Sequence, residues 1–91
     1  MSDKRIVYII QSAADPSRFY TGITSDVDAR LEWHNHGPSG VTTNHRPWTL
    51  VVSMHFATEK AARQFERYLK SGSGRAFSMR HLAPIPDPEP S

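Results

Sequence analysis

The chain has 91 residues, of which 37% are hydrophobic, and its 11 Lys and Arg against nine Asp and Glu give a formal charge of +2 at pH 7. That length allows one small domain with one core and leaves no room for a deep cofactor cavity. With no cysteine, a disulfide scaffold, a thiolate zinc finger and a cysteine nucleophile are excluded, and no apolar run approaches the roughly 18 residues of a membrane-spanning helix.

Met1-Ser2-Asp3-Lys4-Arg5 leads straight into a strand-like run and not into a signal peptide, so a soluble cytoplasmic protein is expected. Ile6 to Ile10 is β-branched and aromatic throughout, which predicts a strand buried on both faces. Asp15-Pro16 marks the turn of the loop from Ser12 to Ser17. A second strand follows over Arg18 to Thr24, interrupted by Gly22. A hairpin centred near Ala14 sets Tyr8 opposite Tyr20, with both side chains on one face.

Ser25 has capping-box spacing to Asp28, and Gly37-Pro38 ends the helix that follows. Val27 and Leu31 then face the core, with Arg30 and His34 one turn apart on a neighbouring stripe. After a polar loop from Gly37 to Pro47, alternation predicts a third strand with Trp48, Leu50, Val52, Met54 and Phe56 on one face. Thr58 caps a second helix that buries Ala61, Ala62, Phe65, Tyr68 and Leu69, with Glu66 at the margin of that stripe. Ser71-Gly72-Ser73-Gly74 breaks it, and a short third helix runs from Arg75 to Leu82. The order ββαβαα implies an α+β domain over residues 1–82, a small three-stranded antiparallel sheet flanked by helices. Residues 83–91 (APIPDPEPS) read as a proline-rich, acidic, disordered tail.

Charge is unevenly placed. Between Lys60 and Leu82 stand Lys60, Arg63, Arg67, Lys70, Arg75 and Arg80 against the single acid Glu66, a bias that suits a polyanion. Three simpler readings of the chemistry fail. His34-Asn35-His36 spells an HNH tripeptide, but consecutive helical residues point ~100° apart and do not converge on a metal. The histidines at 34, 36, 45 and 55 lack the spacing of a zinc site. No serine sits on a glycine-flanked elbow between strand and helix.

The remaining constellation is Tyr8, Tyr20, Gly22, Arg30, His34 and Glu66. Val7-Tyr8-Ile9, followed about a dozen residues later by Tyr20-Thr21-Gly22, resembles the paired motif of GIY-YIG nucleases, with Val for the first Gly and Thr for the second Ile. The Arg30/His34 helix and the Glu66 helix follow in that family's order. The resemblance runs from about Ile6 to Leu82 and is closest to small, stand-alone, UvrC-like bacterial proteins, similar to the N-terminal nuclease domain of the UvrC excinuclease, a DNA-repair enzyme.

The resemblance implies cleavage of DNA phosphodiester bonds, branched or damaged DNA included, with one divalent metal, Mg²⁺ or Mn²⁺. It assigns Glu66 as the metal ligand, Arg30 to the scissile phosphate, Tyr8 and Tyr20 as the motif tyrosines, and His34 to the place nearest the nucleophile. Many members carry an asparagine after the glutamate helix; Ser71-Gly72-Ser73-Gly74-Arg75 offers none. Lys60, Arg63, Arg67, Lys70 and Arg75 are the candidate contacts to DNA. A lone carboxylate suits Mg²⁺, which keeps much of its water, and a guanidinium gives fixed donors to a phosphate. Either Tyr8 or His34 serves as general base. Tyr8, Tyr20, Arg30, His34 and Glu66 then ring a shallow groove on one face of the sheet. Taken one by one, the tyrosines read as ordinary sheet aromatics and Arg30 with Glu66 as an ion pair. A binding module of the same fold without turnover is the alternative function.

Overall fold

The computed structural model describes residues 3–38 and 42–83. The expected tail therefore lies outside the described residues, apart from Ala83. Strand β1 (Ile6–Ser12) pairs antiparallel with β2 (Phe19–Thr24) on one side and β3 (Trp48–His55) on the other, giving the order β2-β1-β3. Helix α1 (Val27–His36) separates β2 from β3, and α2 (Glu59–Leu69) and α3 (Gly72–His81) follow. This is the expected α+β arrangement in ββαβαα order.

β1 is central because both of its faces are apolar. Val7 and Ile9 project to one side and pack with Ala62 and Leu69 of α2. Tyr8 and Ile10 project to the other, where Trp48 and, from α1, Val27 and Leu31 complete a second cluster. The two-residue period of a strand sorts the side chains between the two clusters.

Four sequence expectations are corrected. Asp26, not Ser25, caps α1, its carboxylate accepting from the Ala29 N–H at 3.0 Å; a charged acceptor makes the stronger cap. In β3, Ile9 pairs with Val52 but Ile10 with Leu50, which leaves Val51 as a bulge. One extra residue reverses the alternation, so Trp48 lies on the Tyr8 side while Val52 and Met54 pack on the α2 side. Tyr68, expected in the core, is 41% exposed. Thr58 does cap α2, through the Ala61 N–H at 3.1 Å.

The fourth correction concerns the Ser-Gly repeat, which begins a helix as well as ending one. Ser71 caps α3, its hydroxyl accepting from the Gly74 N–H at 3.2 Å, so α3 starts three residues before Arg75. Gly74 is buried where the first turn of α3 meets the last turn of α2: a Cβ there would strike the Tyr68 carbonyl oxygen and lie 2.6 Å from the Leu69 Cα. A Cβ at Gly72 would meet nothing within 4 Å. Gly72→Ala is therefore expected to leave stability unchanged or raise it by up to ~1 kcal/mol, through helix propensity and a less flexible unfolded chain. Gly74→Ala forces backbone apart and is expected to lose about 1–3 kcal/mol. Urea unfolding of the two variants checks this; equal midpoints would contradict the close approach of α2 and α3.

Candidate active site

Tyr8 is held by its strand partner. It pairs with Gly22, and Tyr20 pairs with Ile10, two residues away from the expected match of Tyr8 with Tyr20. An even slip preserves the face, so the two rings still meet, with centroids 6.3 Å apart. The Tyr8 ring lies across Gly22, where a Cβ would fall 2.6 Å from its Cζ and closer still to its hydroxyl. Glycine is needed at that position for close approach.

The ring directs the Tyr8 hydroxyl to His34 of α1, with 2.8 Å between the oxygen and Nε2. Both residues are 1% exposed, so this is a buried pair and not the floor of an open groove, as the sequence pattern led one to expect. Tyr20 packs on the same imidazole at 4.9 Å between centroids. Arg30, one turn before His34, lies over the Trp33 ring with its guanidinium carbon 4.2 Å from the centroid. Tyr8, Tyr20, Arg30 and His34 are thus brought together.

Several residues without a motif of their own hold this cluster. The His34 Nδ1 is 3.0 Å from the Thr42 hydroxyl, so both ring nitrogens have partners. The Trp48 indole N–H donates to the Thr42 carbonyl at 2.8 Å. Arg46 donates from Nε to the His34 carbonyl at 2.6 Å and from its terminal nitrogen to that of Gly37 at 2.7 Å, closing the C-terminal end of α1. Asn35 exchanges two hydrogen bonds with the Trp48 backbone, accepting from its N–H at 2.6 Å and donating to its carbonyl at 3.0 Å. The HNH tripeptide accordingly diverges: His34 points inward, Asn35 clamps β3, and His36 is exposed beside Glu32 at 2.9 Å.

Burial sets the electrostatics. It raises the Tyr8 pKa above 10, reinforced by Tyr20 and Glu66, while the Arg30 guanidinium pulls the other way. For His34, burial again comes first and lowers the pKa below 6.5, with the charges of Arg30 and Arg46 adding to it. Near neutral pH the pair is therefore a phenol beside a neutral imidazole.

Glu66 is carried by α2, half-buried and near enough for its charge to act on Tyr8, and pairs with Lys70 one turn on at 3.2 Å. No ion pair with Arg30 forms among the described residues, which removes the salt-bridge reading of those two. No group of three or more His, Asp or Glu able to hold a metal occurs among the described residues. The donor set is thus a single carboxylate that is 19% exposed. It fits a cation that retains its water and excludes an all-protein cage. Its ion pair to the exposed Lys70 is of the ~0–1 kcal/mol kind that a cation can displace.

The α2 bases are exposed. At ~100° per residue, Lys60, Arg63, Arg67 and Lys70 fall within an arc of about 80° on that helix, so they form one stripe. Arg63 is engaged by Glu59 at 2.7 Å. Arg75 lies on α3 and flanks the same groove as Lys70.

A small antiparallel sheet with a buried tyrosine–histidine pair and a glutamate on a later helix defines a recognisable class. The model of the GIY-YIG catalytic domain matches residues 4–80, and the chain belongs to the GIY-YIG family. It is 40% identical over 83 residues to the structure-specific endonuclease subunit SLX1 of Candida dubliniensis, covering 84% of this chain but 28% of that protein. A UPF0213 protein of Haloquadratum walsbyi is 40% identical over 72 residues, covering 78% of this chain and 79% of its own. A UPF0213 protein of Streptococcus pyogenes is 30% identical over 84 residues, covering 91% and 90%. The chain thus spans under a third of the SLX1 proteins it matches and most of the UPF0213 proteins. No solved structure matches it. No helix among the described residues is long and apolar enough to cross a membrane.

The depressed His34 pKa makes folding sensitive to acid. Above pH ~6.5 the ring is neutral in both folded and unfolded chains. Between that value and the lower folded pKa the unfolded chain binds more protons, so stability falls as pH drops through the window. The melting temperature is expected to fall more steeply between about pH 7 and about pH 5 in the wild type than in His34→Gln, which cannot titrate. Equal slopes would contradict the buried neutral imidazole.

Proposed function

We propose that this chain is an endonuclease that hydrolyses DNA phosphodiester bonds, with a divalent cation, Mg²⁺ or Mn²⁺, held at Glu66. The observation that carries the reading is the buried contact of the Tyr8 hydroxyl with His34, gathered with Arg30 and Tyr20 in a chain of this family. The narrower likeness to the UvrC excinuclease, with repair of branched or damaged DNA in the cytoplasm, belongs to the same proposal. The name of the SLX1 relatives, a structure-specific endonuclease subunit, supports the endonuclease reading.

Arg30 supplies fixed donors to the phosphate under attack and adds positive charge beside Tyr8. His34 acts as proton acceptor through Tyr8. In the tautomer that donates from Nδ1–H to the Thr42 hydroxyl, Nε2 is free to accept the Tyr8 proton. A water arriving from the Tyr20 side, where the ring is half-buried at the sheet edge, gives its proton to the Tyr8 oxygen as that oxygen gives its own to His34. The water oxygen bonds to phosphorus, the bond to the leaving oxygen breaks, and that oxygen takes a proton from solvent. His34 returns its proton to solvent through Tyr8 afterwards. A bound divalent cation supplies charge relief for the phosphoryl oxygens. The stripe of Lys60, Arg63, Arg67 and Lys70, with Arg75, neutralises flanking phosphates, a contribution that weakens with salt.

One observation favours the second reading, a DNA-binding module without turnover: Tyr8 and His34 are both closed to solvent. Incubation with plasmid and branched DNA in Mg²⁺, Mn²⁺ or EDTA separates the two. Glu66→Gln is expected to lower metal-dependent cleavage by roughly 10²–10³-fold, the scale of losing one electrostatic group in a transition state. Its melting temperature and DNA affinity are expected to stay close to wild type, because the exposed partner Lys70 adds little stability and the basic stripe is intact. A variant that cuts at the wild-type rate would contradict the assignment of Glu66.

A further inference from the structure

A groove of about 460 Å³ opens between the edge strand β2 and the α2–α3 pair, within the size range of small-ligand sites, roughly 300–1,000 Å³. Phe19 and Met79 give it apolar surface, and Lys70 and Arg75 line it with positive charge. No carboxylate lines it among the described residues. Both parts of the candidate active site border it. Tyr20 borders it from β2, with its ring turned to His34 on the opposite face of the sheet, and Lys70, the ion-pair partner of Glu66, is one of its walls.

We infer that this groove seats one unpaired nucleotide of the strand being cut, its base between Phe19 and Met79 and its phosphate on Lys70 and Arg75. The charge is complementary to a phosphate: Arg75 makes no ion pair among the described residues, and the surface pair of Lys70 with Glu66 is of the weak kind that an anion can displace. An apolar wall bearing an aromatic ring suits the flat face of a base, and such contacts tolerate any of the four bases. Met79 is 59% exposed, and a flexible, polarizable thioether adapts to ligands of different shape. A base inside a duplex is stacked and paired, so it enters a recess only after leaving the helix, and this is easiest where the strand is already single. The groove therefore selects DNA that offers a single-stranded nucleotide next to the cut. This inference rests on the nuclease reading for the position of the scissile bond, but its binding test does not require turnover.

The test titrates ¹⁵N-labelled full-length protein, in EDTA, with a thymidylate single strand of about eight nucleotides and with a duplex of equal length. Expected are amide shifts at Thr21, Lys70 and Met79 with the single strand and far smaller ones with the duplex. Met79→Glu, at an exposed position, is expected to weaken single-strand binding roughly tenfold, the scale of one lost base contact, and to weaken duplex binding less than about threefold. Shifts confined to Lys60, Arg63 and Arg67, or equal weakening for both DNAs, would overturn the groove while leaving the nuclease reading to its own assay. Groove shifts with the single strand in a protein that cleaves nothing would support the groove and count against the nuclease.

Discussion

Tyr8 sits on the central strand, and the missing side chain at Gly22 lets its ring lie flat across the neighbouring strand and carry its hydroxyl to α1. Everything else in the site is arranged around that path. A methyl group at position 22 would occupy the space of the ring, so the glycine is a packing requirement between two strands, with no left-handed backbone involved. Because the hydroxyl is buried, it must find a partner inside the protein, and an unpaired one would cost about 1–3 kcal/mol. His34 is that partner. The same contact therefore holds α1 on the sheet and places an imidazole beside a phenol.

The histidine raises the same requirement one step further on. Its second nitrogen is met by Thr42, whose carbonyl is met by Trp48, and no buried side-chain nitrogen or oxygen among the described residues lacks a partner. A fully paired polar network of this kind rigidifies the surrounding core. Beside it, Asn35 and Arg46 tie the end of α1 to the start of β3. Glu66 and the basic stripe lie outside this network on α2. Glu66 makes no hydrogen bond to that network, and acts on it only through its charge, which helps to keep Tyr8 protonated.

Much of this was legible in the residues alone. The β-branched and aromatic run from Ile6 to Ile10 and the one-turn spacing of Arg30 and His34 report local rules, and the structure places them as those rules require. Gly22, which reads as an interruption of its strand, stays in regular register and makes room for the Tyr8 ring. The strand pairing was not legible, since the loop from Ser12 to Ser17 does not state which residues it sets opposite each other; the observed two-residue offset leaves faces unchanged and escapes pattern reading. The bulge at Val51 was hidden for a related reason. Leu50 is apolar yet 41% exposed, so hydrophobic alternation continued through the point where the strand changed phase. Thr42 and Arg46 carried no pattern at all. Their partners are a ring eight residues away and a carbonyl twelve residues away, and only the folded loop brings them there.

The proposed proton path needs a neutral His34 that accepts a hydrogen bond from Tyr8 and donates one to Thr42. Long-range ¹⁵N correlation spectra of the histidine rings in the free protein at neutral pH test it directly. The expected result is an Nδ1–H tautomer for His34, with an unprotonated Nε2 whose resonance moves when Tyr8→Phe removes the donor. An imidazolium at neutral pH, or a ring protonated at Nε2 and insensitive to Tyr8→Phe, would contradict it.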